Sequence, residues 1–167
     1  QRKFPKKIKH LILVSSTPCF INKRVWNYGV EREIFEKFAS QLLVNWKKTM
    51  HQFFLLQLYG VPNIRKVTVK LEETILSSGK PDPQALSGGL KLLLDTDCRE
   101  NLININVKTL IISGDKDRLT SLASSKYMDN IIPNSSLKVF PGAGHIPFLF
   151  EPEMFVQSIL NFVKEKN

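Results

Sequence analysis

Two short apolar runs, Ile8–Ser16 and Val107–Gly114, constrain the fold of this chain more than any other feature. In each, apolar side chains fill successive positions instead of alternating with polar ones. Both faces of such a strand are buried, as in a parallel sheet flanked by helices. Between the runs the period changes. Ile34, Phe38, Leu42, Trp46, Met50 and Phe53 or Phe54 recur at helical spacing. Asn45 is placed to cap a break between two helices, and Gly60 to stop the second. A third helix follows Pro62, burying Ile64, Val67, Leu71 and Ile75 and stopping near Gly79. A fourth opens at Asp82-Pro83, a capping residue followed by proline, and carries Leu86, Leu90 and Leu93. After the second strand come a helix over 121–132, a strand over 137–140, and a closing helix from Glu151-Pro152 burying Phe155, Ile159 and Phe162. Strand–helix–strand–helix with short links is an open parallel sheet. The expected fold is α/β, with residues 30–95 as a helical insertion between two pieces of sheet.

With 167 residues, 43% of them hydrophobic and 23% charged, the chain is expected to be an ordinary globular protein and not a disordered one. No apolar stretch approaches the ~20 residues of a membrane span. The chain opens at Gln1 without a secretory signal, which implies either processing or a piece of a longer protein. Cys19 and Cys98 are too few for a disulfide framework, which points to a reducing, cytoplasmic setting. His10, His51 and His145 have no metal-ligand spacing, so neither metal nor cofactor is implied. Residues 1–70 hold 14 Lys or Arg against only Glu31, Glu33 and Glu36, whereas the rest of the chain is nearly balanced. That asymmetry fits an anionic partner or a solvated basic surface. No nucleic-acid motif accompanies it.

In open parallel sheets, chemistry gathers at the carboxyl ends of the strands. Two loops qualify. Ser113-Gly114-Asp115-Lys116-Asp117 offers carboxylates, and Pro141-Gly142-Ala143-Gly144-His145 an imidazole. A carboxylate that orients a histidine, which in turn deprotonates a nucleophile, needs this arrangement. A capping aspartate and a solvated loop histidine would look the same in isolation.

The order Gly114-x-x-Asp117, then Gly144-His145 ahead of Pro147-Phe148 and a terminal amphipathic helix, resembles the C-terminal half of an α/β-hydrolase. Four stretches, Val14–Phe20, Phe53–Gln57, Leu86–Leu90 and His145–Phe148, are similar to the pimeloyl-acyl-carrier-protein methyl ester esterases, and the resemblance runs from about Phe4 to the C-terminus. It implies core segments at 1–20 and 96–167 and a helical lid at 21–95. It makes Asp117 the orienting acid, with Asp115 the competing choice, and His145 the general base. Phe53, Phe54, Leu55, Leu56 and Gln57 would line an acyl channel. Lys47, Lys48, Arg65, Lys66 and Lys70 would hold an acidic acyl-carrier protein. The intact enzyme would be a cytoplasmic monomer acting in biotin biosynthesis. One departure, Leu119-Thr120-Ser121 where the family often has Val-Pro, alters a loop.

The other departure is larger: no Gly-x-Ser-x-Gly occurs, so the nucleophile elbow and the oxyanion loop before it are missing. Ser15, Ser16 and Ser113 lie beside strands but lack the flanking glycines of a strained turn. This piece alone is therefore expected to be inactive and to fold poorly with an exposed sheet edge. Two other readings stay open: a non-catalytic carrier-binding module from a split gene, and another hydrolase of the fold, such as a C–C hydrolase, dehalogenase or haloperoxidase.

Overall fold

The computed structural model describes residues 7–77, 79 and 81–165, so the first basic residues and Phe4 lie outside the described part. Three strands, β1 (His10–Val14), β2 (Lys108–Gly114) and β3 (Ser135–Phe140), form a parallel sheet in the order β1-β2-β3. Leu13 pairs with Ile111, and Ile112 with Lys138. β2 lies in the middle and is buried from Thr109 to Gly114, as its unbroken apolar run predicts. β1 is only half-buried along its length, against the expectation of a fully buried strand. The reason is position: it pairs with β2 alone, and its other edge has no partner among the described residues.

Alternate side chains of β2 serve opposite faces of the sheet. Leu110 and Ile112 pack with Phe140, Ala143 and Phe162, under α7 (Pro152–Lys164). Ile111 packs the other way with Leu102, Met128 and Ile132, under α5 (Leu122–Ile131). His10 sits edge-on to the Phe162 ring at 5.5 Å, a packing histidine. Burial of an isoleucine or leucine side chain stabilises by about 1.5–3 kcal/mol.

The insertion is four helices: α1 (Arg32–Val44), α2 (Trp46–Gln57), α3 (Ile64–Ser77) and α4 (Pro83–Asp95). Asn45 separates α1 from α2, its side chain accepting from the Lys48 N–H, and Asp82 caps α4 by accepting from the Ala85 N–H at 2.9 Å. The face that α1 buries is Phe35 and Leu42; Ile34, expected inside, is 63% exposed. The anticipated period was offset by one position at its start.

Phe54, Leu58, Val61 and Ile146 form one buried cluster, against which Ile64, Val67, Leu71 and Ile75 of α3 pack. Ile146 belongs to the loop after β3, so the insertion rests directly on that loop. Gly60 makes the contact possible, since its φ is +84° and a Cβ there would lie 2.5 Å from the Gly142 carbonyl oxygen.

The two ends of the insertion are fastened to each other. The Cys98 N–H donates to the Pro18 carbonyl at 2.7 Å, and Cys19 bridges Asp97. Lys23 and Arg99 both bind the Asp97 carboxylate, and these donors, led by Arg99, hold Asp97 far below the usual carboxylate range. Both cysteines are free; Cys19 is buried, which pushes its thiol up, and it donates to the Ile21 carbonyl. A 3₁₀ turn at Arg99–Asn104 and a short helix, α6 (Pro147–Phe150), have no counterpart in the sequence expectations. Among the described residues, no helix is long and apolar enough to cross a membrane.

Candidate active site

Asp117 and His145 enter the same small volume from the loops that follow β2 and β3. The His145 Nδ1 lies 2.8 Å from the Asp117 Oδ2. Asp117 is 8% exposed and its oxygens are fully engaged. Oδ1 accepts from the backbone N–H of Leu119 at 2.8 Å and of Thr120 at 3.0 Å. Oδ2 accepts from the Thr120 hydroxyl at 2.7 Å as well as from the imidazole. Burial alone would push this carboxyl up. The hydrogen bond and charge of His145, with the Thr120 donors, outweigh it and hold the carboxyl below its ordinary value. The ionised group then keeps the imidazole proton on Nδ1. Nε2, which has no hydrogen-bond partner among the described residues, is left with a lone pair. Such a nitrogen can take a proton from a hydroxyl or a water.

The competing acid, Asp115, points elsewhere. Its Oδ1 accepts from the Gly142 N–H at 2.7 Å, and its other oxygen faces Lys116 at 3.9 Å. Among the described residues, no hydrogen bond joins His145 to a serine. Ser15, at the end of β1, has a φ of 44° and a buried hydroxyl without a partner, so it takes up a strained backbone despite having no flanking glycine. No group of three or more potential metal ligands occurs among the described residues.

Beside the acid loop an apolar groove of about 140 Å³ runs between α1, α2 and α4, and Leu119 forms part of its wall. Of the five α2 residues assigned to an acyl channel, Phe53 and Leu56 line this groove. Phe54 turns into the α2–α3 cluster, Leu55 is exposed, and Gln57 is half-buried off the groove. A helix explains the division, since positions three apart share a face and neighbours do not. Phe20, Val30, Ile34, Phe35, Phe38 and Leu93 complete the lining and lie on separate stretches, which no local pattern links. Lys47 and Lys48 on α2, with Arg65, Lys66 and Lys70 on α3, are all exposed and have no ion-pair partner among the described residues. His51 of α2 contacts Glu72 of α3 nearby.

The residue that sequence reasoning missed is Thr120, treated there only as a loop change. An aspartate followed three positions later by threonine is a side-chain turn pattern, and that spacing was the available signal. A proline at 120 would have supplied neither donor.

A family model described as alpha/beta hydrolase fold matches residues 1–152. The chain belongs to the α/β-hydrolase fold family. It is 34% identical over 152 residues to a pimeloyl-[acyl-carrier protein] methyl ester esterase of Nitrosomonas europaea, covering 91% of this chain and 60% of that protein. To the protein of the same name from Photobacterium profundum it is 35% identical over 160 residues, covering 96% and 63%. This α/β-hydrolase chain thus spans about three fifths of the length of these curated relatives. Among solved structures it superimposes on an esterase from Exiguobacterium antarcticum with a TM-score of 0.84 and 24% identity, covering 94% of this chain and 57% of that one. A bromoperoxidase from Bacillus anthracis gives 0.83 at 19% identity, covering 98% and 62%. At these identities the structural likeness is one of α/β-hydrolase fold.

Proposed function

We propose that this chain is the acid–base, lid and C-terminal core portion of a carboxylesterase that hydrolyses the methyl ester of an acyl chain carried on acyl-carrier protein. In this reading Asp117 holds the imidazole, and the Nε2 of His145 takes the proton of a serine nucleophile. That serine is supplied by sequence outside this chain. The hydroxyl attacks the ester carbonyl, His145 returns the proton to the leaving methanol, and water then releases the carboxylate from the acyl-enzyme. The apolar groove with Phe53 and Leu56 takes the acyl chain. The exposed cations on α2 and α3 draw in the acidic carrier.

The observation that carries the reading is the 2.8 Å Asp117–His145 pair, buried on its acid side, at the carboxyl edge of the sheet and beside an apolar groove. The names of the curated relatives supply the substrate. The test is methanol release from an acyl-carrier-linked methyl ester by the intact protein and by its His145→Ala variant. The variant is expected to lose about 10²–10⁴ in rate. Unchanged hydrolysis would remove His145 from the chemistry. Salt-sensitive carrier binding with no hydrolysis by the intact protein would replace the esterase with a binding module.

A further inference from the structure

Apart from the side-chain contacts of His145 itself, few bonds among the described residues lace the Asp117 and His145 loops to each other, and one of these comes from a side chain. The Lys116 N–H donates to the Ala143 carbonyl at 2.9 Å, and the Asp115 N–H to the Phe140 carbonyl at 3.3 Å. Gly114 lets the loops close, because a Cβ at that position would lie 2.2 Å from both the Ala143 and Gly144 carbonyl oxygens. On the far side, the Gly144 N–H donates to the Tyr59 carbonyl at 3.1 Å. The remaining link is the 2.7 Å bond from the Gly142 N–H to the Asp115 carboxylate. It is the shortest of these links. Gly142, three residues ahead of His145, has a φ of +83°, which redirects the chain just after that N–H.

We infer that Asp115 is a positioning residue: by binding the Gly142 N–H it sets the height of the His145 loop against the Asp117 loop, and so the Asp117–His145 distance. The inference rests on the proposed role of His145. The carboxylate has no comparable alternative use. Its other contact, with Lys116 at 3.9 Å, is a loose pair open to water that contributes little. What the role requires is an acceptor oxygen at this place, not a negative charge. Asparagine keeps that acceptor, and alanine removes it.

The experiment uses the full-length native protein in three forms: wild type, Asp115→Ala and Asp115→Asn. Steady-state hydrolysis of a methyl ester is measured alongside amide hydrogen exchange of residues 142–145. Misplacing a catalytic group by about 1 Å is worth up to ~10²-fold in rate, so alanine is expected to lower kcat about 10- to 100-fold and leave KM nearly unchanged. Exchange at the Gly142 amide is expected to rise about tenfold in that variant, the equivalent of one lost hydrogen bond. Asparagine is expected to match wild type in both readouts. An asparagine variant as slow as alanine would overturn the inference, since charge would then be the cause. So would an alanine variant with wild-type kcat and exchange. If the alanine variant does not fold, the asparagine variant decides alone, and a tenfold loss of kcat there overturns the role. If wild type shows no esterase activity, the proposed function fails by itself and the exchange at Gly142 still tests the lacing.

Discussion

The acid loop borders the groove through Leu119 and α4 borders it through Leu93, and the paired acid and histidine loops are built in the opposite way to that helix. In the loops, each oxygen of Asp117 has at least two donors, Asp115 holds Gly142, and Gly144 is tied to Tyr59. Helix α4 has a well-made cap at Asp82 yet buries no residue, and its Leu92 and Leu93 are 68% and 43% exposed. Local signals suffice to make α4 a helix, but little apolar surface fixes it against its neighbours. The contrast fits the proposed reading, in which the loops need one geometry for proton transfer and the groove some tolerance for an acyl chain.

The sharpest way to break this comparison is at the acid. Asp117→Asn keeps the volume but replaces an acceptor by an amide that cannot favour the Nδ1–H tautomer. In the intact protein kcat is expected to fall by about 10²–10⁴ with a smaller change in KM. The same substitution in a module that merely binds would leave carrier affinity unchanged, as a titration would record.

Next in size is the loop contact itself. Gly114→Ala places a methyl group 2.2 Å from two carbonyl oxygens, neither of which belongs to a flexible side chain. The loops must separate, and overpacking of this kind typically costs about 1–3 kcal/mol. Leu92→Ala on α4 is expected to change stability by no more than about 0.5 kcal/mol. Chemical denaturation of the two variants compares the regions directly. Equal effects would erase the distinction between a fixed edge and a lightly held helix.

Acid sharpens the comparison further. The folded carboxyl of Asp117 sits below its ordinary value of 3.8. Its contribution to stability is therefore complete above about pH 4 and is lost as the pH falls through the folded value. Asp97, held low by Arg99, behaves in the same direction at the base of the helical insertion. The wild type is expected to lose melting temperature below about pH 4 more steeply than Asp117→Asn. Parallel curves would mean that the His145 contact stabilises nothing.

Much of this was legible from residues because the governing patterns are local. The buried run at Val107–Gly114, the caps at Asn45 and Asp82, and the Asp82-Pro83 start of α4 each depend on a few neighbours in sequence. The Asp117 and His145 loops could be placed on one sheet edge by strand order alone. Three things were not legible. Half-burial of β1 depends on what lies beside it, not on its composition. The groove draws Phe20, Ile34, Phe53, Leu93 and Leu119 from separate stretches of the chain, so no window contains it. By residue type alone Asp115 and Asp117 are equivalent; the family resemblance favours Asp117 for His145, but the Gly142 partner of Asp115 is given only by their approach in space.

The smallest expected effect concerns the surface of the helical insertion, and it separates the proposed steering from the proposed catalysis. Arg65, Lys66 and Lys70 lie on the first two turns of α3, exposed and without an ion pair among the described residues. A cation with no internal partner leaves its field available to an approaching anion. It also contributes little to stability, so it can be changed without disturbing the fold. Replacing all three with glutamine is expected to raise KM for a carrier-linked ester by about tenfold at low salt, and to leave kcat and the KM of a small free ester unchanged. The difference must shrink as ionic strength rises, because exposed charges more than ~10 Å apart are screened at about 0.1 M salt. A KM change that also appears with the free ester would place these residues in the packing of the lid. A change that survives high salt would mean direct contacts with the carrier in place of long-range attraction.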